Sequence, residues 1–147
     1  MYDILRNTHS AWRYVVLILL IIAVVKALSG WMGNKTYTDG DRKLNVFTLI
    51  SAHIQLLMGL VLYFISPLTK GPMSDPSFRY WKVEHISMMV IAIILITIGN
   101  AKSKKGIDGV AKHRTISLFF GIALIIIIVA ILLMTKSVPG TSFFGIS

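Results

Sequence analysis

Apolar residues are gathered into four blocks along the chain, at about 11–29, 44–66, 83–99 and 115–135. A hydrocarbon core of about 30 Å needs roughly 20 helical residues at about 1.5 Å each, and each block is long enough to span it once its polar flanks extend the helix by a turn or two. The predicted spans are therefore about 8–30, 42–66, 78–100 and 108–135. Between them lie GWMGNKTYTDGDRK, PLTKGPMSDPSFRY and AKSKKGIDGVAK, whose Gly, Pro, Asp and Lys content marks connecting loops. Short loops favour antiparallel neighbours. The pattern thus predicts an all-α integral membrane protein, an up-down-up-down four-helix bundle forming one domain over residues 1–147. The first block ends in ALSG, loosely like a cleavage site, but its apolar run exceeds a usual signal-peptide core, so it is read as a true span.

The blocks also repeat. HSAWRYVVLILLIIAVVKALSG, from His9, laid over HISMMVIAIILITIGNAKSKKG, from His85, puts Lys26 on Lys102 and Gly30 on Gly106. HIQLLMGLVLYFIS, from His53, over HRTISLFFGIALII, from His113, keeps the histidine and the general apolarity. An internal two-helix duplication accounts for both matches.

Composition changes this picture little. The 147 residues are 55% hydrophobic and 14% charged, where soluble domains carry about a quarter charged residues. The net charge of +9 would point to nucleic acid in a soluble chain; here the basic residues flank apolar blocks and serve as interfacial anchors and topology signals, so nucleic-acid binding is set aside. Nine Lys and Arg fall on the side of the first and third loops and six on the other. That bias puts those loops in the cytoplasm and both termini outside, in a membrane read as the bacterial inner (cytoplasmic) membrane. The absence of cysteine rules out disulfides, iron–sulfur clusters, c-type haem attachment and thiolate metal sites.

What remains is the histidine set. His9, His53, His85 and His113 are the four histidines, one toward the start of each span. Ionisable residues inside a membrane mark function by default. In a four-helix bundle the first and third spans are diagonal, as are the second and fourth. His9 with His85 forms an outer pair, and His53 with His113 an inner, less closely depth-matched one. Extending the last helix back to Ile107 or Asp108 brings His113 deeper. Two imidazoles facing each other across an apolar bundle suit haem b, which needs an axial ligand on each face. Two haems per chain are expected, or one. Arg13, Arg79 and Lys82 are placed to pair with propionates at the outer site, and Lys112 and Arg114 at the inner one.

Other features have plainer readings. Trp12, Tyr14, Tyr80 and Trp81 make an interfacial aromatic belt or part of the outer site. Glu84 is a proton-transfer candidate or a carboxylate favoured by the helix dipole. Met58, Met88, Met89 and Met134 are core packing. Gly59, Gly99 and Gly121 allow close approach of helices or of a macrocycle. No phosphate loop, dinucleotide motif or nucleophile triad is present.

One histidine on each of four consecutive helices resembles the core of the transmembrane dihaem cytochromes b, including the ascorbate-reducible family and the internally duplicated haem A synthase. The resemblance covers nearly the whole chain and rests on His9, His53, His85 and His113. It implies that alternate helices share a haem and that the chain carries electrons through the membrane. The partners are then membrane lipid and a quinol or redox protein, with the chain working as a subunit of a larger complex or a homo-oligomer. Two other functions fit the same residues: a haem-modifying or quinone-reactive membrane oxidoreductase, and a haem-free scaffold or transporter subunit whose histidines handle protons or metal.

Overall fold

The computed structural model describes residues 2–65, 70–72 and 74–137, with the side chains of residues 2, 76 and 77 left aside. Among them the regular structure is helical: α1 (Tyr2–Met32), α2 (Asp39–Ile65), a short α3 (Pro76–Arg79), a π-helical turn (Tyr80–Glu84), α4 (His85–Ser103) and α5 (Gly109–Ser137). Four helices are long and apolar enough to cross a membrane, the third running from Tyr80 through α4. The predicted spans agree with them to within a few residues, apart from the start of α1, which extends to Tyr2. Residue 66, the predicted end of the second span, lies outside the described residues.

Local chemistry sets the helix ends. α1 stops where Asn34 turns left-handed at φ 50° and Lys35 N–H donates back to Gly30 O at 2.9 Å, closing the last turn. α2 opens on a reciprocal cap: Thr38 N–H donates to Asp41 Oδ2 at 2.9 Å while Thr38 Oγ1 accepts from Asp41 N–H at 3.2 Å. Asp108 Oδ1 caps α5 by accepting from Ala111 N–H at 2.8 Å. The expected backward extension of the last span thus ends at an aspartate cap.

The helices pack in the cyclic order α1, α2, α4, α5, which leaves α1/α4 and α2/α5 as the diagonals. Cross-helix contacts show the antiparallel register. Trp12 Nε1 donates to Ser51 O at 2.9 Å, Tyr63 Oη donates to Lys82 O at 3.0 Å, and Tyr80 Oη donates to Ala130 O at 2.6 Å. Leu20, Ala23 and Ala27 of α1, Ala92 and Ile96 of α4, and Ile116, Phe120 and Ala123 of α5 make the core. Large apolar side chains such as Ile18, Val25, Leu57, Ile91 and Ile125 face outward. Apolar surface inside and out is what a lipid-embedded bundle presents, and close approach at small residues is how such helices associate. Gly99, for example, lies against Phe119 and Phe120. Gly121 has nothing within 4 Å of where a Cβ would sit, so the close approach expected there is absent.

Candidate functional site

α1 carries His9 in its third turn, and α4 begins at His85 directly after the π-helical turn. These lie on diagonal helices at the same end of the bundle, and their rings meet across it, with centroids 6.4 Å apart and planes at 84°. The π turn closes with His85 N–H donating to Tyr80 O, five residues back. That insertion places two aromatic residues beside the imidazole: the Tyr80 and Trp81 rings lie 5.7 Å and 5.1 Å from the His85 ring. Such single-turn insertions occur often at functional sites.

Hydrogen bonding fixes the His85 ring. Tyr80, 1% exposed, gives its hydroxyl proton to Ala130 O at 2.6 Å. Its oxygen therefore accepts from His85 Nδ1–H, 3.4 Å away. This tautomer leaves Nε2 with the lone pair, as a metal-ligating histidine held from behind requires. His9 is seated against Gly59 of α2, where an added Cβ would lie 3.2 Å from His9 Cε1. Gln55 Nε2 donates to the His9 carbonyl at 2.8 Å, tying α2 to the same turn.

Both histidines line one cavity. Its walls are apolar, with Leu56, Met89, Ile93, Ile127 and Ile131 among them, and Arg6 and Arg13 reach it from α1. Around this space Arg6 Nε, His9 Nδ1, Gln55 Oε1 and Trp81 Nε1 are buried without a hydrogen-bond partner among the described residues. Buried polar atoms are normally paired, so their concentration at one cavity fits a site built for a polar-edged ligand.

The ring spacing and the donor set narrow that ligand. Metal–imidazole bonds of about 2.0–2.1 Å in line through one ion put two ring centres about 6 Å apart. A bare ion asks for three or four protein ligands, whereas no group of three or more His, Cys, Asp or Glu that could hold one occurs among the described residues. A macrocycle that already supplies four in-plane nitrogens needs only two axial imidazoles. Two facing imidazoles are the protein ligands that such a macrocycle would need.

The other predicted site residues fall elsewhere. Arg13 lines the cavity, but Arg79 is half exposed and lies 3.7 Å from Glu84 Oε1. Lys82 contributes its backbone carbonyl to Tyr63 rather than its ammonium to the cavity. Arg114 is exposed, and Lys112 stands over the Tyr37 ring at 5.5 Å. Arg6, Gln55 and the π turn were not anticipated as parts of the site. Met89 and Met134, expected as core packing, line the cavity as well.

The inner pair is not brought together. His53 is exposed on the outside of α2, and its Nε2 donates to Thr97 Oγ1 of α4 at 3.0 Å. His113 is 3% exposed and held at the loop end of the bundle, where Nε2 donates to Thr36 O at 3.1 Å. Asp41 Oδ2 is 4.0 Å from the same nitrogen. The ring packs directly on Gly30, where any Cβ would collide with it, and it lies 5.2 Å from the Tyr37 ring. Burial pushes the Tyr37 phenol above its ordinary pKa, so it stays a neutral hydroxyl, accepting from Asn45 Nδ2 at 2.8 Å. With its Nε2 already bonded and its ring pressed on backbone, His113 is a satisfied packing residue in this arrangement.

Comparison with family models, with curated proteins and with solved structures finds no match for this chain.

Proposed function

We propose that this chain is a small b-type cytochrome of the membrane, binding one haem b between His9 and His85 and passing electrons to or from a quinol or a redox protein. One observation carries the reading. Two histidines on diagonal helices face each other at 6.4 Å in an apolar cavity ringed by partnerless polar atoms. Haem, when bound, supplies a one-electron couple. The protein's own part is positional and electrostatic. His9 and His85 would hold the haem iron, with Tyr80 fixing the orientation of His85. Gly59 leaves room beside His9, and the aliphatic walls exclude water. Arg6 and Arg13 are the cations available to the propionates. The expected second haem, at His53 and His113, lacks comparable support, and one per chain is the stoichiometry proposed.

In this reading the site sits toward the outer face of a bacterial cytoplasmic membrane, with the loops containing Lys35 and Lys104 inside, as the basic residues favour. The duplicated halves supply one ligand each, from α1 and α4, while the second histidine of each half has taken another role. The test is a reduced-minus-oxidised visible spectrum of the purified protein with haem quantified per chain. One low-spin haem b supports the proposal. Carbon monoxide binding to the reduced form would instead indicate an open coordination position and the oxidoreductase alternative. A colourless protein after expression with ample haem would favour the scaffold or transporter.

A further inference from the structure

Two of the buried atoms at the cavity belong to residues that already touch. His9 Nδ1 and Gln55 Oε1 have no hydrogen-bond partner among the described residues, although Gln55 Nε2 donates to the His9 carbonyl at 2.8 Å. That bond fixes which way the amide points: its nitrogen is at the carbonyl, so Oε1 is the end left over. The next turn of α2 bears on the same residue, since the place a Gly59 Cβ would take is 3.2 Å from His9 Cε1 and 4.0 Å from His9 Nδ1. α2 thus meets His9 at its backbone through position 55 and at its ring through position 59.

Donor and acceptor types decide how the two open atoms can be satisfied. A histidine that ligates through Nε2 carries its proton on Nδ1, and that N–H ordinarily goes to an acceptor. His85 meets this rule with Tyr80 Oη, 3.4 Å from its Nδ1. His9 has no such partner among the described residues. Of the other buried side-chain atoms open around the cavity, Arg6 Nε and Trp81 Nε1 can only donate. Gln55 Oε1 can only accept. It is the complement of an N–H at His9 Nδ1, and their pairing removes two unsatisfied buried groups at once.

We infer that Gln55 is the positioning residue for His9. When His9 Nε2 is engaged by haem, Gln55 Oε1 accepts from His9 Nδ1–H while Gln55 Nε2 keeps its bond to the His9 carbonyl. The inference rests on the cytochrome reading and adds to it a control on redox poise. The amide does for His9 what the Tyr80 phenol does for His85, but from a neighbouring helix and not from the ligand's own span. An acceptor on Nδ1–H makes the imidazole a more basic ligand, which favours the oxidised state and holds the midpoint potential down. A neutral amide does this without placing a charge in the apolar bundle.

Two substitutions separate the ring contact from the carbonyl contact. Gln55→Met keeps the length and apolar volume and removes both amide functions. Gln55→Glu keeps an acceptor at the same reach and loses the amide N–H that binds the His9 carbonyl. Potentiometric titration of the purified, haem-loaded protein compares both with the native chain, and haem transfer to a competing apoprotein gives a second readout. Gln55→Met should raise the midpoint potential and weaken haem binding by about 10–100-fold. Gln55→Glu should return the potential to the native value or below it and recover most of the affinity. Should Gln55→Met fail to fold, Gln55→Glu decides alone, since a potential above the native value would overturn the inference. If both substitutions move the potential alike, or neither moves it, Gln55 only ties α1 to α2 and the inference is overturned. A colourless native chain overturns the cytochrome reading and this inference together. A coloured native chain whose potential ignores Gln55 overturns this inference alone.

Discussion

The Tyr80 hydroxyl, donating to Ala130 O at 2.6 Å, presents its oxygen to His85 Nδ1 at 3.4 Å. This links α5, the π turn and a candidate axial ligand through one phenol. Tyr80→Phe keeps the ring that packs beside His85 and removes only the acceptor. The expected result is a protein that still binds haem, but about 10–100-fold more weakly, as for other lost partners of a metal ligand. Haem transfer to an excess of a competing haem-binding apoprotein measures it.

Gly59 is the second point of control. A Cβ there would meet His9 Cε1 at 3.2 Å, which a slight ring shift can absorb, whereas a branched side chain would fill the space beside the ligand. Gly59→Ala should retain most of the haem. Gly59→Leu should lose it while keeping helix content by circular dichroism.

Arg6 reaches the cavity with a guanidinium Nε that has no hydrogen-bond partner among the described residues. A nearby positive charge favours the reduced, more electron-rich state of a redox group. Arg6→Gln should therefore lower the midpoint potential, by on the order of tens of millivolts for a charge screened at the membrane surface. A potentiometric titration gives the sign directly, and a rise in potential would contradict the placement of Arg6.

At the other end, His113 is held by Thr36 O and pressed on Gly30. Gly30→Val forces the ring out and should destabilise the protein by about 1–3 kcal/mol, the usual cost of overpacking. His113→Ala should cost about as much by removing a buried hydrogen bond and leaving a void. Thermal unfolding in detergent checks both, and neither should change the haem content.

Much of the fold was legible because lipid imposes a simple length rule: four apolar blocks become four spans, and short loops make them antiparallel. The pairing of His9 with His85 followed from the bundle order alone. What could not be read was rotation about each helix axis. His53 was expected inside, opposite His113, yet Asn45, Thr48 and Ala52 claim the inward face of α2 and leave His53 outside. That spacing of three and four residues was the available signal, muted because small polar and apolar residues alternate in it. The π turn had no comparable signature; it arises where the Tyr80–Glu84 segment inserts Tyr80 into the core. Cations such as Arg79 and Arg114 were assigned by sequence proximity to a histidine, but long side chains at helix ends turn toward water and local carboxylates.

The central claim is that His9 and His85, and not His53 and His113, hold the haem. The most direct measurement is haem per chain for four single alanine variants of the purified protein, read from reduced-minus-oxidised spectra beside the native chain. The native protein should carry one low-spin haem b, lost in His9→Ala and in His85→Ala and unchanged in His53→Ala and His113→Ala. Two haems in the native chain, or colour that survives the loss of His9 or His85 and vanishes with His53 or His113, would contradict the account.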